Sequence, residues 1–274
     1  MICRLSTKRS QQIMNSMLHF QNMKSWHGPR IILTLLMLCL SMVFYAQDND
    51  FGLWYSVGVE KKIDKRWSVD VEGEFRTRNH ARTADRWSVG VSADYKIKKR
   101  LKGSAGYDFL WDNDEEKITL EDDGMTYKKW TPSYWGGRHR VHADLTGNVD
   151  WSRLNISLRE RWQYTYRPEK IATRFDFSDE TWEDNAVRGK GDHVLRSRLQ
   201  VEYDIPASKF EPYASVELFH SWSLEQVRYI FGANWKLAKQ HQVGLYYRQQ
   251  PINKDAEEGE KSQHVIGLSY QFKF

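Results

Sequence analysis

Apolar and polar residues alternate one by one along most of this chain. In the last stretch, Ile266, Leu268, Tyr270, Phe272 and Phe274 point one way, and Val265, Gly267, Ser269, Gln271 and Lys273 point the other. A period of two over this length predicts a strand with one apolar and one mostly polar face. The pattern recurs in residues 51–60, 67–76, 87–97, 101–111, 138–146, 153–167, 194–205, 210–219, 227–237 and 241–250. With the last stretch this makes eleven predicted strands and no convincing helix.

The connections fall into two kinds. Short ones follow Glu60, Ile97, Thr146, Ile205 and Leu237, and longer, charged ones are expected at 77–85, 112–133, 168–192, 220–226 and 251–262. Short turns at one end and long loops at the other is the plan of an outer-membrane barrel. The predicted fold class is all-β, an antiparallel transmembrane β-barrel of about ten to twelve strands, with a soluble barrel or sandwich as the competing reading. Trp67, Tyr95, Phe210, Trp235 and Phe272 fall toward the short-turn ends, and Trp87, Trp111, Tyr164, Tyr229 and Tyr247 toward the long-loop ends. Two such belts suit two membrane interfaces. Parity raises one difficulty. With eleven strands the first and last run the same way, whereas bacterial barrels normally have an even number. Either the strand count is off, or the first strand closes the barrel in an unusual way.

Residues 1–46 read as a signal peptide and 47–274 as the barrel. Residues 31–45 are a mostly apolar run, preceded by Lys24 and Arg30 and followed by Ala46 and Gln47. That is a positive segment, an apolar core and a small residue at the cut. The run is shorter than a membrane helix needs. Phe44 is atypical three residues before the cut, and a start at Met23 gives a more ordinary leader. Leu38 before Cys39 argues against a lipoprotein signal.

Removing this segment changes the charge balance. It holds Arg4, Lys8, Arg9, Lys24 and Arg30 and no acidic residue, and the whole chain has 41 Lys and Arg against 36 Asp and Glu. The remainder is therefore neutral, and the basic isoelectric point implies no nucleic-acid partner. Both cysteines, Cys3 and Cys39, leave as well, and with them any disulfide, thiol nucleophile or thiolate metal site. Mean hydropathy is low, but a barrel evades hydropathy because every second residue can be polar.

The polar face carries a charge cluster. Arg138, Arg140, Arg153, Arg159, Arg161, Arg196 and Arg198 face the expected lumen on the middle strands, with Asp70, Glu72, Glu74, Asp94, Glu211 and Glu217 on others. One reading is an anion-favouring pore wall; the other is a charge network filling a narrow barrel. Glu160 breaks the pattern, lying on the apolar parity between Leu158 and Trp162. A β-bulge is the favoured explanation, with a rim position or a protein contact as alternatives. Catalytic, cofactor and metal sites are not expected. His193 and Ser197, four residues apart along a strand, lie about 13 Å from each other and out of hydrogen-bond reach. His139 and His142 project to opposite faces. The acidic run from Asp112 to Asp123 lacks the order of a calcium loop and reads as solvated. Tyr127, Trp130, Phe175, Phe177 and Trp182 in the two long loops would grip a ligand, cap the lumen or pack together.

A terminal Phe on an alternating aromatic strand, with Tyr270, Phe272 and Phe274 on one face, resembles the assembly signal of bacterial outer-membrane barrels. A second likeness is carried by Asp50-Phe51-Gly52-Leu53-Trp54, Glu74-Phe75-Arg76, Arg86-Trp87 and Gly106-Tyr107. It continues in Leu158-Arg159-Glu160-Arg161-Trp162-Gln163-Tyr164, Leu195-Arg196-Ser197-Arg198 and Pro212-Tyr213-Ala214-Ser215-Val216-Glu217. In order, these resemble the domain of unknown function 2490 family, small outer-membrane barrels of the Bacteroidetes type. The resemblance implies a fold and a location in the cell outer membrane of a Gram-negative envelope, and no catalytic residues. The expected partners are outer-membrane lipids, lipopolysaccharide and, during insertion, the barrel-assembly machinery. A monomer is expected. The functional reading is a structural or ligand-binding barrel working through its long loops, not an enzyme. A narrow anion-favouring channel is the alternative, and a lipid-modifying enzyme a distant one.

Overall fold

The computed structural model describes residues 49–221, 224–251 and 262–274. The expected signal peptide and most of the connection 251–262 lie outside the described residues. Fifteen strands are present among them: β1 (Asp50–Lys62), β2 (Trp67–Arg78), β3 (Thr83–Lys98), β4 (Leu101–Asp114), β5 (Lys117–Leu120), β6 (Tyr127–Thr131), β7 (Tyr134–Trp151) and β8 (Leu154–Arg167), followed by β9 (Lys170–Asp176), β10 (Thr181–Val187), β11 (Lys190–Tyr203), β12 (Phe210–His220), β13 (Leu224–Lys236), β14 (His241–Gln250) and β15 (Gln263–Lys273). Eleven of them close a barrel in the order β1-β15-β14-β13-β12-β11-β8-β7-β4-β3-β2.

The parity difficulty resolves at the seam. β1 and β15 pair in parallel, in unbroken register from Asp50↔Gln263 to Glu60↔Lys273, while the other barrel pairs are antiparallel. An odd strand count requires one such parallel contact. Both ends of the seam are fastened by backbone bonds. The Asp50 amide donates to the Ser262 carbonyl (2.9 Å), the Lys62 amide to the Phe274 carbonyl (2.9 Å) and the Phe274 amide to the Glu60 carbonyl (3.0 Å). Closure removes both sheet edges, which would otherwise leave a row of unpaired amides and carbonyls.

Alternation sorts the two faces as expected. Large apolar side chains point outward from every barrel strand and lie 37–68% exposed, among them Tyr55, Val71, Val89, Phe109, Leu145, Leu158, Leu199, Val216, Phe231, Leu245 and Leu268. The buried groups of the barrel include Trp54, Leu110, Glu217, Arg248 and Val265, all on the lumen parity. The molecule is apolar outside and polar within, the reverse of a soluble domain. The two aromatic belts form as cross-strand pairs. At the short-turn end, Trp67 faces Tyr95 with ring centroids 4.8 Å apart, and Phe210 faces Trp235. At the other end, Phe75 and Trp87 lie 4.1 Å apart, and Trp87 faces Trp111.

Several connections differ from the expected ones. Residues 79–82 are a tight turn, with Asn79, His80 and Ala81 at φ 53°, 57° and 62°. β12 and β13 are likewise close in sequence. The hairpin predicted to turn after Thr146 continues to Trp151. Loops 112–133 and 168–192 are not irregular. Each contains a pair of strands, and β5, β6, β9 and β10 form a separate four-stranded sheet in the order β10-β9-β6-β5. That order repeats β11-β8-β7-β4 in the barrel, because the two long hairpins continue past the rim and pair with one another. We refer to this sheet as the lip.

Candidate functional site

The lumen contains a dense set of arginine pairs. Arg161 grips Asp144 with a two-pronged contact, Nε to Oδ1 at 2.5 Å and Nη2 to Oδ2 at 2.7 Å. Nη2 of Arg196 donates to both oxygens of Glu217, at 2.6 and 2.7 Å. Arg159 and Arg198 each approach the same carboxylate at 3.6 Å, and Glu217 is 1% exposed. One carboxylate thus anchors three guanidiniums from β8 and β11. Arg86 and Arg138 both pair with Asp112, Arg76 with Glu74 (2.6 Å), and Arg140 donates to Thr165 (3.1 Å). Asp70 accepts from Gln271 across the seam (2.6 Å). The Gln271 side chain occupies the space that a Cβ on Gly58 would fill, so glycine lets this bond cross β1. Glu72 faces the lumen opposite Gly58 and Gly90.

A stacked group also fills the lumen. The guanidinium carbons of Arg76 and Arg248 lie 3.6 and 3.5 Å from the Trp54 ring centroid. Two planar groups this close can only occupy opposite faces of the indole. The guanidinium carbons of Arg228 and Arg196 lie 4.2 and 5.1 Å from the Phe219 ring centroid. Stacking satisfies guanidinium faces, while the in-plane N–H groups still need acceptors. Nη2 of Arg248 finds Gln263 (2.6 Å), whereas its Nε and Nη1 have none among the described residues. Arg248, Val265, Leu110, Phe219 and Ile230 are at most 8% exposed, so side chains occupy the lumen at this level.

Of the expected lumen residues, Arg138, Arg140, Arg159, Arg161, Arg196, Arg198, Asp70, Glu72, Glu74 and Glu217 line the interior. Arg153 does not. It lies in the exposed turn between β7 and β8, because β7 runs on to Trp151 and β8 starts only at Leu154. Arg76, Arg86, Arg228, Arg248 and Trp54 were not among the expected cluster, although all carry lumen parity. Following alternation into each strand's long-loop end finds them.

Glu160 is not at a bulge. Register runs unbroken through Leu145↔Glu160 and Glu160↔Ser197. Its carboxylate faces outward and accepts a hydrogen bond from the Ser197 hydroxyl (2.6 Å). His193 stacks on Trp162 (5.7 Å between centroids) and lies tilted against Tyr164 (4.5 Å). His139 meets the Tyr107 hydroxyl (2.7 Å), while His142 faces Asp108 and Asp144 in the lumen. At the terminal strand, Tyr270 meets His241 (2.7 Å) and Phe272 stacks on Phe274 (5.4 Å).

The lip is amphipathic. Register places Ile118, Trp130, Phe175 and Trp182 in one row across all four strands. Ring centroids lie 5.8 Å apart for Trp130–Trp182, 5.3 Å for Phe175–Trp182 and 5.7 Å for Tyr127–Phe177. The five loop aromatics therefore pack together, and Tyr127 and Trp182 remain more than half exposed. The opposite face is a charge ladder. Lys129 meets Asp176 and Glu183 at 3.0 Å each, and Arg174 meets Glu183 at 2.5 Å. Hydrogen bonds from Lys129 hold the Asp176 carboxyl below its usual range, Arg174 does the same for Glu183, and Asp176 raises the Lys129 ammonium.

The family model described as "Protein of unknown function (DUF2490)" matches residues 51–261. No curated protein matches the chain. Among solved structures, the NanC porin in its rhombohedral crystal form is similar at 14% identity and a TM-score of 0.41, over 81% of this chain and 96% of that one. The translocator domain of the autotransporter NalP from Neisseria meningitidis is similar at 11% identity and a TM-score of 0.40, over 69% of this chain and 70% of that one.

Proposed function

The chain belongs to the DUF2490 family, and from that premise we propose that it is an outer-membrane β-barrel that acts as a binding or structural barrel through its lip. The observation that carries the membrane reading is the apolar outer surface. Exposed Val, Leu, Ile, Phe, Tyr and Trp side chains encircle all eleven strands, far more than the few hundred Å² of apolar patch a soluble monomer exposes. Barrel strands of 10–18 residues meet the roughly 9–11 residues that a tilted strand needs to cross a bilayer. The filled lumen favours binding over free passage. The lip offers a surface for it: a row of aromatic rings stiffened from behind by ion pairs.

The second reading, an anion-favouring channel, draws on the arginine wall, where the Nε groups of Arg159, Arg196 and Arg248 have no hydrogen-bond partner among the described residues. In it, the Trp54 stack would be a gate.

Topology is testable by cysteine labelling, since Cys3 and Cys39 both precede the barrel. An Asp122→Cys variant should react with a membrane-impermeant maleimide on intact cells. A Lys239→Cys variant should react only after the envelope is opened. Labelling of both or neither on intact cells contradicts the reading.

A further inference from the structure

We propose that the short-turn mouth of the barrel is a binding vestibule for a compact phosphate-bearing anion. A cavity of about 1030 Å³ opens there between the β1–β2 and β3–β4 turns. Its inner wall is Ser68, Asp94, Lys96, Lys102, Thr146 and Asn148, all on the lumen parity. The cavity is therefore the lower end of the lumen, beneath the filled level around Trp54 and Glu217. Its size is that of a site for a small organic ligand.

Its charge is one-sided. Lys62, Lys65, Lys96, Lys98 and Lys99 also border it, and none of them forms an ion pair among the described residues. The two bordering carboxylates are engaged. Asp64 accepts from the amides of Arg66 (2.6 Å) and Trp67 (2.8 Å). Those bonds hold its carboxyl below the usual range. Asp94 pairs with Lys102 at 3.1 Å.

The backbone increases this imbalance. Lys96 and Lys102 sit directly opposite one another in register, and like charges so placed destabilise a sheet. A register shift between Lys96 and Lys98 turns a further lysine toward the rim. Bulges at barrel rims commonly re-aim side chains in this way. The arrangement costs stability in the empty protein, and a multiply charged anion between these lysines would offset it. Phosphate suits ammonium groups converging from several directions, because lysine binds it as a point charge without a fixed fork geometry. The anion has two sources, a free phosphorylated solute or the headgroup of a phospholipid at the rim. The lumen-facing wall favours the solute.

This inference needs the barrel reading only for the bilayer in which the protein is held, and heat-modifiable gel migration reports that separately. The test is calorimetric titration of residues 47–274 with inorganic pyrophosphate in phosphatidylcholine nanodiscs. Saturable binding that weakens with salt is expected, reduced about tenfold in a Lys96→Gln/Lys102→Gln variant. A Lys65→Gln/Lys99→Gln variant, altered only in the exposed turns, serves if the first does not fold. A Lys209→Gln/Lys239→Gln variant, on the far side of the rim, should bind as the unaltered protein does. Loss of pyrophosphate binding when phosphatidylglycerol is included would assign the same site to a lipid headgroup. No binding by a folded barrel in either lipid, or equal loss in the far-side variant, overturns the proposal.

Discussion

The guanidinium of Arg248 lies 3.5 Å from the centroid of the Trp54 indole, and Arg76 covers the other face at 3.6 Å. Trp54 is on β1 and Arg248 on β14, with β15 between them, so the stack ties the two sides of the parallel seam across the lumen. Replacing Trp54 with alanine removes the shared ring and leaves two like charges facing each other. The expected result is a barrel less stable by about 3–5 kcal/mol and a lumen that passes current where the unaltered protein does not. Urea unfolding in detergent checks the first and bilayer recording the second.

Glu217 is the common counter-charge of Arg159, Arg196 and Arg198. Glu217→Gln keeps the shape and removes the charge, leaving three clustered guanidiniums. A loss of about 3–5 kcal/mol is expected, the magnitude for breaking a buried pair from one side. Arg198→Gln, which removes a guanidinium at 3.6 Å, should cost much less. Equal effects would show that no shared anchor exists.

Glu160 faces outward in mid-strand, with Ser197 as its one side-chain partner among the described residues. If that face meets lipid, Glu160→Leu should stabilise the inserted barrel by about 1 kcal/mol, since a carboxylate there is unfavourable, though less so than Lys or Arg. The same change in detergent alone should matter less. Destabilisation in bilayers would mean that this face contacts something polar.

The lip should come apart in acid while the barrel persists. Asp176 and Glu183 are held below the usual carboxylate range. Their pairing therefore stabilises the sheet above the unfolded carboxylate pKa and is lost as pH falls through the lowered folded value. The same sign holds in the β5–β6 turn, where the Thr126 hydroxyl and the Thr126 and Met125 amides bring the Asp123 carboxyl down to about 2. Amide exchange in lip strands should rise below about pH 4, with barrel amides unaffected. Loss of lip protection at higher pH would contradict the role given to these pairs.

Much of this was legible in the alternation, because a barrel wall is a single repeated rule. Leu158 and Leu199 point out, and Arg159 and Arg198 point in, wherever the strands sit. What alternation does not carry is extent and partnership. Arg153 has lumen parity yet lies in a turn, because parity does not mark where a strand stops. Residues 117–120 and 127–131 are too short and too charged to read as strands alone; they form because β4 and β7 deliver them already paired. Trp130 and Phe175 belong to different loops, and only register brings them together. Parity left open a miscounted strand or an unusual closure, and the parallel pairing of β1 with β15 decides between them; Trp54 stacking on Arg248 depends on neighbours two strands apart.

The most direct test is the conductance of residues 47–274, refolded to a heat-modifiable barrel and inserted in a planar bilayer under a salt gradient. A filled lumen predicts no discrete steps for the unaltered protein, and steps with anion-favouring reversal once Trp54 is replaced by alanine. Steady anion-favouring steps from the unaltered barrel would contradict it and make the arginine wall a conducting path.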